Sequence, residues 1–139
     1  MEKDVIISIK GVQRYENADP DTMELVTAGR LEREGNSYTL SYQESELTGL
    51  EGTLTTFQIE PERITLLRVG EFNSQMVFQE GRRHMSMYNT PYGAMTIGVN
   101  TRHLLAELDD QGGEIEIDYA IEIDHSVAGR NTFQINVKE

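Results

Sequence analysis

The chain contains no cysteine, which excludes disulfides and any thiolate metal site. It has no long hydrophobic run either. Apolar residues make up 37% of its 139 positions, and no stretch approaches the roughly 18 consecutive apolar residues that a membrane span needs. Met1-Glu2-Lys3-Asp4 is charged and lacks the apolar segment of a secretory leader, so a cytoplasmic protein is expected. Positive charge is scarce: 12 Lys and Arg stand against 24 Asp and Glu, a formal charge of −12. A field of that sign repels phosphate backbones and anionic headgroups, so neither nucleic acid nor a membrane is expected as a partner. Arg30/Arg33, Arg63/Arg68 and Arg82/Arg83 are scattered and form no basic block.

What is present is alternation. A chain of this length makes one domain with a real core, and strand patterns run from end to end. Val5, Ile7 and Ile9 alternate, with Gly11 a candidate kink before Val12. Asn17-Ala18-Asp19-Pro20-Asp21 is a turn by composition. Met23, Leu25, Thr27, Gly29 and Leu31 then share a face, and Glu34-Gly35-Asn36 connects them to Tyr38, Leu40 and Tyr42. After a turn bracketed by Gly49 and Gly52 come Thr53, Thr55, Phe57 and Ile59, then Ile64, Leu66 and Arg68, then Ser74, Met76 and Phe78.

Met85 and Met87 follow, counted as core filling with Met76 and Met95. Tyr88-Asn89-Thr90-Pro91-Tyr92-Gly93 reads as a bend, bulge or corner. Met95, Ile97 and Val99 make another strand. Residues 101–108 fit either a helix or a strand, and the strand is preferred. A glycine-type hairpin is expected at Gln111-Gly112-Gly113. Ile115, Ile117, Tyr119, Ile121 and Ile123 then alternate with Glu116, Asp118, Ala120 and Glu122, the pattern of a half-buried antiparallel strand. Asn131, Phe133, Ile135 and Val137 end the chain. A meander of nine or ten strands tends to close and remove its edges, so an all-β, antiparallel up-and-down barrel is favoured over a sandwich.

The ordered motifs Tyr42-x-Glu44-x-Glu46-Leu47-Thr48-Gly49-Leu50-Glu51-Gly52-Thr53, Ser74-x-Met76-x-Phe78 and Thr90-Pro91-Tyr92-Gly93, with Gly112-Gly113 and Asn131, resemble the YwiB-like family of small uncharacterised bacterial proteins. The likeness covers nearly the whole chain. It implies a calycin-like, lipocalin-related barrel, and it implies no activity and no catalytic residue.

Several constellations bear on chemistry. Glu44 and Glu46 share a strand face, roughly 6.5–7 Å apart along the backbone. Arg68 ends an inward series and is their natural counterion. It either pairs with one glutamate to plug a barrel end or helps fix the polar end of a ligand. Tyr88, Thr90, Tyr92 and Asn131 suit a pocket that must both pack and orient a molecule, and suit a strand corner equally. His84, His103 and His125 lack ligand spacing, and Asp19-Pro20-Asp21 lacks the spacing of a calcium loop, so no metal and no cofactor is expected.

A non-enzymatic barrel that binds a small, partly apolar molecule is therefore expected. Glu44, Glu46, Arg68, Tyr88, Tyr92 and Asn131 are its candidate ligand contacts, and Met76, Phe78, Met95 and Tyr119 its candidate cavity wall. The alternative is an interaction module that acts as a homodimer or on a protein partner. An enzyme using Glu44 and Glu46 ranks third.

Overall fold

Period-2 alternation becomes ten antiparallel strands in the computed structural model, which describes residues 2–15, 19–45, 50–70, 73–90, 93–123 and 126–139, with 87–90, 94 and 95 described in their backbone alone. The strands are β1 (Glu2–Arg14), β2 (Asp21–Glu34), β3 (Ser37–Gln43), β4 (Thr53–Ile59), β5 (Ile64–Gly70), β6 (Ser74–Phe78), β7 (Arg83–Thr90), β8 (Gly93–Asp109), β9 (Gly112–Ile123) and β10 (Ser126–Lys138). Each strand pairs with its neighbours in sequence, and β10 returns to β1 to close the sheet. Among the described residues there is no helix, and so none long and apolar enough to cross a membrane.

One parity of every strand points inward, because successive side chains leave a strand on opposite faces. The core is built from those positions: Ile7, Leu31, Leu40, Ile64, Phe78 and Ile115 are fully buried. One end of the barrel carries the β2–β3 and β8–β9 turns. There Arg33, beside the β2–β3 turn, meets Asp110 of the β8–β9 turn at 3.1 Å.

The structure differs from the reading of the sequence at four places. Residues 93–109 form one strand of 17 residues rather than two elements, because a bulge between Thr101 and His103 inserts Arg102 and shifts the parity. Thr101 is thus inward with Val99, and Leu104 resumes the inward face opposite Ile117. Gly11 does not kink β1, since it pairs with both Phe133 and Met23. The β8–β9 turn is Asp110-Gln111, and the two glycines already belong to β9. Met85 is not core filling: its partner Gly98 lies on the outer face, and Met85 is 58% exposed. Of the expected turn Asn17–Asp21, residues 17 and 18 lie outside the described residues, and Asp21 already belongs to β2.

The closure has a seam. Among the described residues, β2 pairs with β1 from Asp21 to Gly29, whereas its pairing with β3 spans only Arg30–Glu34. Gly29 sits where the two strands converge. A Cβ there would lie 2.6 Å from the Ser41 carbonyl oxygen and 2.3 Å from Ile7 Cδ1, so only glycine admits so close an approach. From Gly29 back to Asp21, β2 runs without a β3 partner among the described residues, toward the end of the barrel opposite the Arg33–Asp110 pair.

The second glycine of β9 also depends on having no side chain. Gly113 has φ +148°, and a Cβ there would stand 1.9 Å from the Glu107 carbonyl oxygen on the neighbouring strand. Gly113→Ala is expected to destabilise the barrel by on the order of 2 kcal/mol, read as a lower denaturant midpoint at unchanged slope.

Candidate functional site

Two rows of polar side chains turn inward at the seamed end. Tyr42, Thr55, Arg68 and Ser74 stand opposite one another on β3 to β6. Across the barrel, Gln13, Asn131, Tyr119 and Thr101 do the same on β1, β10, β9 and β8. Between them opens a cavity of about 280 Å³. That is roughly nine times the ~30 Å³ share of a liquid water molecule, so it is space of ligand size rather than a packing defect. Apolar groups including Ile9, Met23, Leu50, Phe57 and Phe133 complete its lining. Met23 is 41% exposed and forms part of the rim.

Gly11 lies on the inward face of β1, in series with Val5, Ile7 and Ile9, and is where that apolar series loses its side chain. The nearest atoms to its missing Cβ would be Phe133 Cε1 at 3.4 Å, and Phe133 Cδ1 and Met23 Cε at 3.6 Å, ordinary contact distances. Much of the space in front of β1 therefore exists because residue 11 is glycine.

The carboxylate of Glu44 is buried, with the residue 7% exposed. Thr55 Oγ1 donates to its Oε1 at 2.6 Å, and the Tyr42 hydroxyl donates to the same carboxylate. Its backbone N–H bonds the Thr53 carbonyl oxygen at 2.9 Å, which carries the β3–β4 ladder one step past the strand. Burial, then the Glu44 charge and the hydrogen bond to it, push the Tyr42 hydroxyl's pKa well above the ordinary tyrosine range, with Arg68 and Thr55 opposing.

Arg68 is not tied in the same way. Among the described residues its guanidinium makes no ion pair, and its Nε is buried without a hydrogen-bond partner. Opposite, Asn131 Nδ2 donates to the Tyr119 hydroxyl oxygen at 3.2 Å, while Asn131 Oδ1 is buried and unmatched. Burial pushes the Tyr119 pKa up to about 12, with the Asn131 bond and the Arg68 charge acting the other way. Tyr119 is held by packing too: its ring lies 4.7 Å from that of Phe78 and 5.9 Å from that of Phe133.

Of the residues singled out in the sequence, Glu44, Arg68, Asn131 and Tyr119 come together around this cavity. Met76 and Phe78 are buried in the core and absent from its lining. The side chains of Tyr88 and Met95, and the whole of Glu46 and Tyr92, lie outside the described residues. His84 instead meets Gln79 at 3.0 Å, and His103 lies between Glu80 and Glu116. Sequence reasoning missed Gly11, Tyr42 and Thr55 as site residues. The signals for them were a glycine interrupting an inward apolar series and inward polar residues one register step from Glu44 and Arg68.

Fold and cavity define a small antiparallel β-barrel with a pocket at one end. The chain belongs to the family described as a domain of unknown function, DUF1934, whose profile matches residues 7–135. Its fold is that of the YwiB protein from Bacillus subtilis, whose crystal structure superposes with a TM-score of 0.86 at 20% identity over 99% of this chain and 92% of that one. At this identity the likeness speaks for the fold alone. No curated protein matches the chain.

Thr55→Val is expected to lower stability by about 2 kcal/mol, because it strips a donor from a buried carboxylate; equilibrium denaturation reads it. Tyr119 provides a pH signature. Its folded pKa of about 12 exceeds the ordinary 10.0, so its stabilising contribution is complete below pH 10 and falls as pH rises toward 12. Thermal melts from pH 9 upward should show this loss, reduced in Tyr119→Phe.

Proposed function

We propose that the protein binds a small, partly apolar molecule at the seamed end of the barrel, in calycin-like fashion, without transforming it. The observation that carries this is the pairing of an open, partly apolar cavity with buried polar atoms, Arg68 Nε and Asn131 Oδ1, that find no partner among the described residues. Unmet buried polar atoms are costly, and native proteins rarely keep them without a use. Glu44 serves the site by being held back from Arg68 rather than by acting as an acid, since Thr55 and Tyr42 already occupy it.

A second reading, an interaction module acting as a homodimer or on a protein partner, draws on Ile6 and Val26. They are exposed on the outer face of adjacent strands. Native mass spectrometry of freshly purified protein reads subunit number and retained small molecules together.

The ligand reading is tested by filling the cavity. Gly11→Leu should leave the fold intact, with stability changed by no more than about 1 kcal/mol, and abolish the added mass of bound small molecules. Equal ligand retention by both proteins would sink the proposal.

A further inference from the structure

Resting on the reading of this cavity as a ligand site, we infer that it selects a short-chain carboxylate bearing a hydroxyl or amino group on the neighbouring carbon. The carboxylate is held by Arg68 and the neighbouring group by Asn131.

Two orphan atoms of opposite kind lead there. Among the described residues, Arg68 Nε is a buried donor with no acceptor, and Asn131 Oδ1 is a buried acceptor with no donor. A guanidinium presents its donors in a planar fork that matches a carboxylate. Asn131 is only 7% exposed, and Nδ2 of its amide is committed to Tyr119, which leaves Oδ1 to receive a donor from outside. The Tyr119 hydroxyl accepts that bond with its oxygen and keeps its own proton, giving a second donor near the Arg68 charge that influences it.

A plain fatty acid meets Arg68 and leaves Asn131 unmet, whereas an amine or alcohol does the reverse. A 2-hydroxy or 2-amino acid meets both. The rest of the molecule must be short and can be apolar, because the whole cavity measures about 280 Å³ and the remaining lining includes Ile9, Val12, Leu50 and Phe133 beside Gln13, Asp21, Thr22 and Thr132. Glu44 lines the same cavity, and its charge favours the amino form over the hydroxy form.

Calorimetric and NMR titration of the full chain with probes of equal length tests this: hexanoate, hexylamine, 2-hydroxyhexanoate and norleucine. The two substituted acids are expected to bind at least about tenfold more tightly than hexanoate or hexylamine. Norleucine ahead of 2-hydroxyhexanoate identifies the amino acid as the natural class, and the reverse order the hydroxy acid; both support the inference. Asn131→Ala should bring the substituted acids down to the level of hexanoate, and Arg68→Gln should erase the preference for acids over the amine. If Arg68→Gln fails to fold by circular dichroism, Arg68→Lys, which keeps the charge without the fork, should still weaken the acids. Hexylamine binding as tightly as the substituted acids would overturn the ligand class while leaving the cavity reading standing. No binding by any of the four would overturn both.

Discussion

Closure of a ten-stranded antiparallel sheet imposes one constraint from which the other features follow. Each strand must bring one parity of its residues inward, and where the parity changes a bulge must restore the inward face, as in β8. Leu40, Phe57 and Leu66 are opposite one another on β3, β4 and β5 for that reason. The same register sets Tyr42, Thr55 and Arg68 side by side two residues further along. The polar end is thus a continuation of the core by other residue types, held by backbone pairing rather than carried on a free loop.

Within that frame the short bond from Thr55 to Glu44 decides what the polar end can do. A carboxylate and a guanidinium placed near each other in a poorly hydrated site attract strongly, and an ion pair between them would neutralise both. Thr55 and Tyr42 hold the carboxylate instead, and Arg68 keeps a donor unspent. Opposite, Asn131 is divided in the same manner, one end of its amide engaged and the other free.

The strand count, the closed topology and the inward parity of most strands were legible in the sequence because period-2 alternation is a direct imprint of a sheet with one buried face. What escaped it was parity changed without a warning residue, and depth. Thr101-Arg102-His103 contains neither glycine nor proline, yet it carries the bulge. Met85 is apolar and faces out, because a single exposed methionine costs little. For the site, alternation put Glu44, Arg68, Tyr119 and Asn131 on inward faces correctly. It treated Met76 and Phe78 as equivalent to Tyr119, although they lie among core side chains rather than on the cavity surface. Alternation tells inside from outside; it does not tell how far along the barrel a residue lies, which depends on strand stagger.

The seam along β2 carries a further consequence. A stretch of strand that pairs on one side only is the kind of edge along which chains add to one another and aggregate. Here that stretch, Asp21–Gly29, includes Asp21 and Glu24, within a chain of net charge −12. Mutual repulsion between copies therefore guards this stretch, and the acidity of the sequence acts along an edge of the barrel.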